Sequence, residues 1–163
     1  MKKIFYFLIC FLFISSCELE RDNPLDLKNP NNNSNNNSNG SPSLAYTKFI
    51  VSSDDNNNGI IEKGEHIKLK VFIKNRGTGI AKTVNANFSF NSYTFIFFDG
   101  GTAYYGDISP STESYGVLNT VDDYSMSFTV SYDIPSGTTC KVSMLITDTY
   151  GANWTDSFTF IVL

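Results

Sequence analysis

Apolar and polar residues alternate with a period of two along most of the chain after residue 44. The alternation is clearest between residues 66 and 74, where four aliphatic residues face one way and His66, Lys68, Lys70 and Lys74 face the other. Successive side chains of a strand point to opposite faces, so this period predicts a half-buried strand with its cations in water. Phe72 is the one apolar residue on the polar side. The predicted inward residues are Ile67, Leu69, Val71 and Ile73.

The same alternation recurs four more times, and no segment keeps a helical period. Shorter apolar runs at 48–52, 93–98 and 102–108 add further strands. Turn-forming clusters separate the strands, for example Asn75-Arg76-Gly77, Asp99-Gly100-Gly101 and Pro135-Ser136-Gly137. The pattern predicts an all-β chain: a single immunoglobulin-like β-sandwich of seven or eight antiparallel strands over residues 44–163. The further inward positions are Val84, Ala86, Phe88, Phe90, Tyr124, Met126, Phe128, Val130, Cys140, Val142, Met144, Ile146, Trp154, Phe158, Phe160 and Val162.

The first residues follow a different pattern. Lys2 and Lys3 precede the apolar run 4–14, and small residues and Cys17 follow it. A cationic start, a short apolar core and small residues before a cleavage point are the parts of a secretory signal peptide. The run is shorter than the roughly 20 apolar residues of a membrane-spanning helix. We therefore predict that residues 1–16 are a signal peptide of the kind that is cleaved before a lipidated cysteine; the alternatives are an ordinary signal peptide with a coincidental cysteine, or a buried helix.

The segment Ile14-Ser15-Ser16-Cys17 resembles the lipobox of bacterial lipoproteins. The resemblance implies that Cys17 carries diacylglycerol and a further acyl chain such as palmitate, which anchors the protein to a membrane without spanning it. Glu18 stands where an aspartate favours inner-membrane retention in the enterobacterial sorting rule. The acidic residues Glu18, Glu20 and Asp22 also resemble the surface-export signals of some Bacteroidetes lipoproteins. Together these resemblances imply the cell outer membrane, on its periplasmic face or at the cell surface.

Residues 17–43 are predicted to form a disordered tether behind the lipidated cysteine. The segment is rich in Asn, Ser, Pro and Gly and includes the low-complexity run 29–40. Such a composition cannot bury enough apolar area to offset its ordering entropy. A flexible chain of this length spans on the order of 25–30 Å, enough to lift a domain off a lipid headgroup layer. The alternative is an aggregation-prone, Asn-rich tract.

Charge and cysteine content narrow the function classes. Without Lys2 and Lys3 the chain has 12 − 2 = 10 basic residues against 16 acidic ones, a formal charge of −6. Nucleic acids and anionic membranes need clustered cations, so neither is predicted as a partner surface. Cys10 leaves with the signal peptide and Cys17 is lipidated, which leaves Cys140 without an intrachain disulfide partner. The core must therefore hold the fold together.

The segment from Val71 to Val84 resembles the strand, Asn-x-Gly, small loop and Ala-x-x-Val signature of CARDB-type cell-adhesion-related domains of bacteria. Gly64-Glu65 before this strand and the turn 148–154 near the end of the chain also fit. The resemblance covers roughly residues 46–163. It implies a sandwich module of bacterial surface and secreted proteins, and it says little about a ligand.

A complete calcium-loop pattern, D-x-[DN]-x-[DN]-G-x5-E, spans residues 54–65. Strands are predicted on both sides, which excludes a helix-loop-helix sensor and leaves a structural Ca²⁺ site of weak affinity between two strands. The alternative is a metal-free turn, because Asp, Asn and Gly form turns for their own conformational reasons. The predicted ligands are the side chains of Asp54, Asn56, Asn58, Glu62 and Glu65 and the carbonyl of Ile60.

Other candidates for chemistry have structural explanations. His66 falls on a solvent-facing strand position, while Cys140 and Trp154 fall in phase with core residues. No nucleophile-base or zinc-protease motif is present, so we predict a non-enzymatic protein. The aromatic-rich region offers stacking platforms for sugars, but burial of alternate rings between the sheets is the simpler interpretation. Its rings are Tyr93, Phe95, Phe97, Phe98, Tyr104 and Tyr105.

Two functional hypotheses follow. The first is a lipid-anchored envelope protein whose β-sandwich serves adhesion, scaffolding or protein binding, with a protein or polysaccharide partner at the cell envelope. The alternative is a carbohydrate-binding surface lipoprotein. An exposed, coplanar pair of rings among Trp154, Tyr104, Tyr105 and Tyr115 would favour the alternative, and burial of these rings would remove its support.

Overall fold

The computed structural model describes residues 40–90, 94–99 and 101–163. The predicted signal peptide, Cys17, most of the predicted tether and Tyr93 lie outside the described residues. No helix within the described ranges is long and apolar enough to cross a membrane. The described chain folds into nine strands: β1 (Leu44–Ser53), β2 (His66–Asn75), β3 (Ala81–Phe90), β4 (Ile96–Phe98), β5 (Thr102–Ile108), β6 (Glu113–Tyr115), β7 (Met126–Val130), β8 (Thr139–Thr147) and β9 (Asn153–Ile161).

The strands form two antiparallel sheets. The first sheet has the order β1-β2-β7-β4, with β6 paired to β2, and the second has the order β5-β3-β8-β9. Strands β1 and β2 therefore share the first sheet with the late strand β7. Strand β3 shares the second sheet with the last two strands, β8 and β9, as in immunoglobulin sandwiches. The predicted all-β, antiparallel fold is confirmed. The strand count in the described chain exceeds the predicted one because β6 has only three residues, too few for alternation to be visible.

Strand β2 has the side-chain alternation that the sequence predicts. Ile67, Leu69, Val71 and Ile73 are fully buried between the sheets. Phe72 lies on the outer face, where its ring centroid is 5.4 Å from that of Tyr115. Burying an aliphatic side chain stabilises a fold by about 1.5–3 kcal/mol, so this strand alone makes a large contribution to the core.

Four phenylalanine rings occupy one end of the core. The rings of Phe128 and Phe160 stack across the two sheets with centroids 5.2 Å apart. Phe90 meets Phe128 edge-on at 5.3 Å and Phe98 at 5.6 Å. Such pairs contribute about 0.5–1.5 kcal/mol beyond their buried area. The two sheets are therefore joined by aromatic contacts, consistent with a core that needs no disulfide.

Buried polar side chains hold the loops to this core. Asn75 is fully buried. Its Oδ1 accepts hydrogen bonds from the backbone N–H groups of Ser43 and Gly77, and its Nδ2 donates to the carbonyls of Gly79 and Ile108. One amide thus satisfies four backbone groups from three segments of the chain.

Residues 41–43 already belong to the folded unit. The carbonyl of Ser43 accepts a hydrogen bond from the N–H of Arg76 at 2.7 Å, and that of Ser41 accepts one from Thr78 at 3.1 Å. The chain therefore enters the sandwich beside the β2–β3 turn. Strand β1 then runs ten residues to the other end of the sandwich, a distance of roughly 30 Å.

Candidate functional site

The loop of residues 54–65 connects β1 to β2, so its predicted strand context is confirmed. Both ends of the loop are anchored: Asp54 and Glu65 are only 4% and 7% exposed, and Ile61 is buried in the core. The N–H of Gly64 donates to the carbonyl of Val130 at 2.9 Å, and the N–H of Val130 donates to the carbonyl of Glu65 at 2.9 Å. The loop is therefore tied to β7 at the end of the sandwich opposite the chain entry.

The centre of the loop turns sharply through two left-handed residues. Asn57 has φ of 58° and Gly59 has φ of 77°, a conformation that Asn and Gly tolerate best. The turn brings the N–H of Gly59 to Oδ2 of Asp54 at 2.7 Å. The Asp54 carboxylate therefore faces the interior of the loop. Its other oxygen, Oδ1, is buried and has no hydrogen-bond partner among the described residues.

The two predicted amide ligands converge on one carboxylate. Nδ2 of Asn56 donates to Oε2 of Glu62 at 2.7 Å, and Nδ2 of Asn58 donates to the same oxygen at 2.8 Å. Their Oδ1 atoms accept hydrogen bonds from the backbone N–H groups of Asn58 and Ile60, at 3.0 and 2.7 Å. Each amide thus forms a local Asx turn while its NH₂ group holds Glu62.

Glu65 closes the loop on the side of β2. Its Oε2 accepts a hydrogen bond from the N–H of Glu62 at 3.2 Å. Burial raises the pKa of the Glu65 carboxyl above its usual 4.5, and the negative charges of Glu62, Asp54 and Asp55 raise it further, while the hydrogen bond from Glu62 opposes the rise. The loop therefore gathers negative charge around a partly desolvated interior.

The structure brings the five predicted side-chain ligands into one loop without forming a finished ion cage. Within the residues that the structure describes, no three His, Cys, Asp or Glu side chains converge on a point suited to a metal. The physical reason is visible: two of the predicted ligands are amides, and their NH₂ groups occupy the Glu62 carboxylate. Ile60, whose carbonyl is the sixth predicted ligand, is 41% exposed at the outer edge of the loop.

A second candidate surface, which sequence patterns did not reveal, is an open groove of about 630 Å³. His66 lies in it with its Nε2 3.3 Å from Oδ2 of Asp99. Lys68 Nζ lies 4.8 Å from the ring centroid of Tyr124. Alternation along β2 predicted that His66 and Lys68 face outward, but their partners come from distant segments. Tyr104 completes the aromatic lining and is 55% exposed.

The outer face of the second sheet carries mostly neutral side chains. The cross-strand register aligns three rows of hydroxyl, amide and apolar residues. An open depression of about 690 Å³ lies over parts of two of these rows, and Lys141 and Asp156 also line it. The outer face of β2, by contrast, carries lysines. The rows are Thr102, Asn87, Leu145 and Thr155; Tyr104, Asn85, Thr147 and Asn153; and Ser89, Ser143 and Ser157.

The four rings proposed as sugar platforms are separated by the fold. Tyr105 is buried and donates its hydroxyl hydrogen bond to the carbonyl of Val71 at 3.0 Å. Tyr115 packs against Phe72, and Trp154 is half-buried against the core. Among the described aromatic contacts, none joins two of these four rings. Tyr104 is the one that is mostly exposed, so the coplanar pair is not formed.

Cys140 and the aromatic-rich region, the remaining candidates from the sequence, contribute to packing. Cys140 is half-buried against the core, and burial raises the pKa of its thiol above the usual 9.0. Phe97 is 58% exposed, while its neighbours Phe95 and Phe98 pack against the core. Phe97 and Phe98 therefore alternate as expected in β4, whereas Phe95 lies before that strand and also packs against the core.

No protein-family profile matches this chain, and no curated protein sequence matches it either. Among solved structures, the chain is similar to the crystal structure of a conjugative transposon lipoprotein from Bacteroides eggerthii DSM 20697. The two share 12% sequence identity with a TM-score of 0.37, over 72% of this chain and 93% of that one.

Proposed function

We propose that this chain is a non-enzymatic, lipid-anchored protein of the bacterial cell envelope whose β-sandwich presents a binding surface for adhesion, scaffolding or protein contact. The observation that carries the proposal is the position of the chain entry. Ser41 and Ser43, at the end of the predicted tether, dock beside the β2–β3 turn. The sandwich therefore begins at the last residues of the predicted tether, which supports display of the folded domain by a lipid anchor at Cys17.

The use of buried polar groups supports a binding role. Asn75 and Ser125 bind backbone groups of neighbouring segments, and Asp148 accepts hydrogen bonds from the N–H groups of Tyr150 and Ala152. These groups build a rigid frame that holds loops in fixed positions. A rigid scaffold with loops at its ends is the arrangement that binding modules use.

Lipid anchoring is tested in a bacterial host that processes lipoproteins. Cells expressing the full chain are labelled with a clickable palmitate analogue, and the extract is partitioned between detergent and water. The wild type and the matched control Cys140→Ser are expected to be labelled and to enter the detergent phase, while Cys17→Ser loses both properties. Equal labelling and partitioning of Cys17→Ser and the wild type would overturn the anchor.

A polysaccharide ligand is the second candidate function, favoured by the mostly neutral outer face of the second sheet. Hydroxyl and amide side chains match the hydrogen-bonding groups of uncharged sugars, and the exposed ring of Tyr104 supplies a stacking surface at the edge of the rows. Affinity electrophoresis in gels containing neutral polysaccharides tests this. Tyr104→Ala is expected to lose the retardation seen for the wild type, and the control Tyr150→Ala, which removes a ring that is 77% exposed elsewhere, is expected to keep it. Retardation unaffected by Tyr104→Ala, or no retardation of the wild type, would contradict the assignment.

A further inference from the structure

We propose that residues 54–65 bind one Ca²⁺ ion at the end of the sandwich opposite the chain entry. The Asp54, Asn56, Asn58, Glu62 and Glu65 side chains and the Ile60 carbonyl are the ligands. This inference is independent of lipid anchoring and of the partner that the domain binds.

The unpaired oxygen of Asp54 is the first observation that requires a ligand. Asp54 is only 4% exposed. Its Oδ2 accepts a hydrogen bond from the N–H of Gly59, but its Oδ1 has no hydrogen-bond partner in the described chain. A buried carboxylate oxygen without a partner is costly, by more than the roughly 1–3 kcal/mol of a neutral group. Since Oδ2 accepts the N–H of Gly59 at the turn of the loop, Oδ1 is the oxygen left to meet a cation.

The charge of the loop is the second observation. Asp54, Asp55, Glu62 and Glu65 lie within twelve residues, and none of the ion pairs formed by the described residues involves them. Hard oxygen ligands and uncompensated negative charge select a divalent cation such as Ca²⁺.

Binding requires a small rearrangement within the loop. Asn56 and Asn58 now direct their NH₂ groups at Glu62, while each Oδ1 accepts one backbone N–H, from Asn58 and from Ile60. Ligation would use the second lone pair of each Oδ1 and turn the NH₂ groups away from Glu62. The Glu62 carboxylate, released from the two amides, then becomes available as a ligand itself. Ca²⁺ accepts six to eight oxygens in flexible geometry, whereas Mg²⁺ demands a near-ideal octahedron, so a loop built from two amides, carboxylates and one carbonyl favours Ca²⁺.

The location of the loop gives the ion a structural effect. The N–H of Leu163 donates to the carbonyl of Ile61 at 3.0 Å, and the ring of Tyr132 lies so close to Gly64 that a Cβ there would be 2.2 Å from it. An ion in the loop therefore fixes the β1–β2 connection, the C-terminus and the β7–β8 turn together. Ile60 and Tyr132, 41% and 80% exposed, present apolar surface beside the ion.

The test is thermal unfolding of the full chain in detergent micelles with 10 mM Ca²⁺, 10 mM Mg²⁺ or excess chelator. With a dissociation constant of about 10⁻⁴–10⁻³ M, typical of extracellular modules, Ca²⁺ raises the midpoint by roughly 5–10 °C for a domain of about 120 residues. Asp54→Asn and Glu65→Gln are expected to abolish the rise. The matched control Asp55→Asn removes the same charge from a position outside the ligand set and is expected to keep it.

Two further measurements distinguish loss of Ca²⁺ binding from misfolding: a variant of an exposed ligand and a direct binding titration. Asn58→Ala changes an exposed side chain, and it is expected to weaken Ca²⁺ binding at least tenfold by calorimetric titration, against one ion per chain for the wild type. The absence of a midpoint rise and of titration heat in the wild type would overturn the proposal. So would a rise in Asp54→Asn or Glu65→Gln as large as in the wild type.

Discussion

Replacement of Asn75 by alanine should be among the most destabilising single changes in the domain. The side chain is fully buried and makes four hydrogen bonds of 2.7–3.1 Å to backbone groups. Two of its partners, the carbonyls of Gly79 and Ile108, belong to buried residues. Leaving each unsatisfied costs about 1–3 kcal/mol, whereas Ser43 and Gly77 are nearer to water.

The expected loss for Asn75→Ala is therefore about 3–5 kcal/mol, a large part of the 5–15 kcal/mol that holds an ordinary domain folded. For a domain of about 120 residues this lowers the thermal midpoint by roughly 10–20 °C. Urea unfolding followed by the fluorescence of Trp154, the one tryptophan of the chain, measures the change directly. The urea midpoint should fall by about 1–3 M with an unchanged slope.

Two further variants separate hydrogen bonding from volume. Asn75→Asp keeps the shape but turns a carboxylate oxygen toward the two carbonyls, so it should be at least as destabilising at pH 7 as Asn75→Ala. Asn87→Ala, which removes an exposed amide from β3, should cost less than about 1 kcal/mol. A loss for Asn75→Ala no larger than that for Asn87→Ala would refute the account of the β2–β3 turn.

Three other predictions concern single side chains. Tyr105→Phe removes the buried hydrogen bond to the Val71 carbonyl and should lower the free energy of unfolding by about 1 kcal/mol in urea, whereas Tyr104→Phe should change it by less than about 0.5 kcal/mol; equal losses would contradict this. Since burial raises the pKa of the Cys140 thiol, its reaction with a thiol reagent at pH 8 should be slower in the native protein than in urea, and equal rates would contradict its placement. The hydrogen bond from Lys82 holds the pKa of Asp107 below its usual 3.8, so this pair stabilises the fold above about that pH and the contribution is lost as the pH falls through the lowered pKa. An NMR titration should show the Asp107 midpoint moving up toward 3.8 in Lys82→Met, and an unmoved midpoint would contradict the pairing.

The strands were predictable where local pattern decides structure. In β2 every second residue is apolar, and one buried face is enough to fix which residues point inward. The short strands β4 and β6 have three residues each, and neither their length nor their pairing is visible in so few positions. Strand β6 pairs with β2, which ends nearly forty residues earlier in the chain, and Phe72 of β2 lies opposite Tyr115 of β6.

The turn at Asn75 and the loop 54–65 were predictable only in part, because the sequence shows local spacing but not long-range partners. Sequence indicated a turn at Asn75-Arg76-Gly77, but not the buried amide, because Ile108 is 33 residues away. In the loop, spacing identified the oxygen-bearing residues in order, while the present orientation of the amides depends on competition between Glu62 and the backbone. Local chemistry is encoded in local spacing, and long-range partners are set by the assembled sheets.

Mass spectrometry of the N-terminal peptide of the protein purified from bacterial membranes decides whether the chain is lipid-anchored at Cys17. We expect a peptide that begins at Cys17 and carries the mass of a diacylglyceryl group and an additional acyl chain. A peptide that begins at Met1, or one that contains Cys17 with a free thiol, would contradict it.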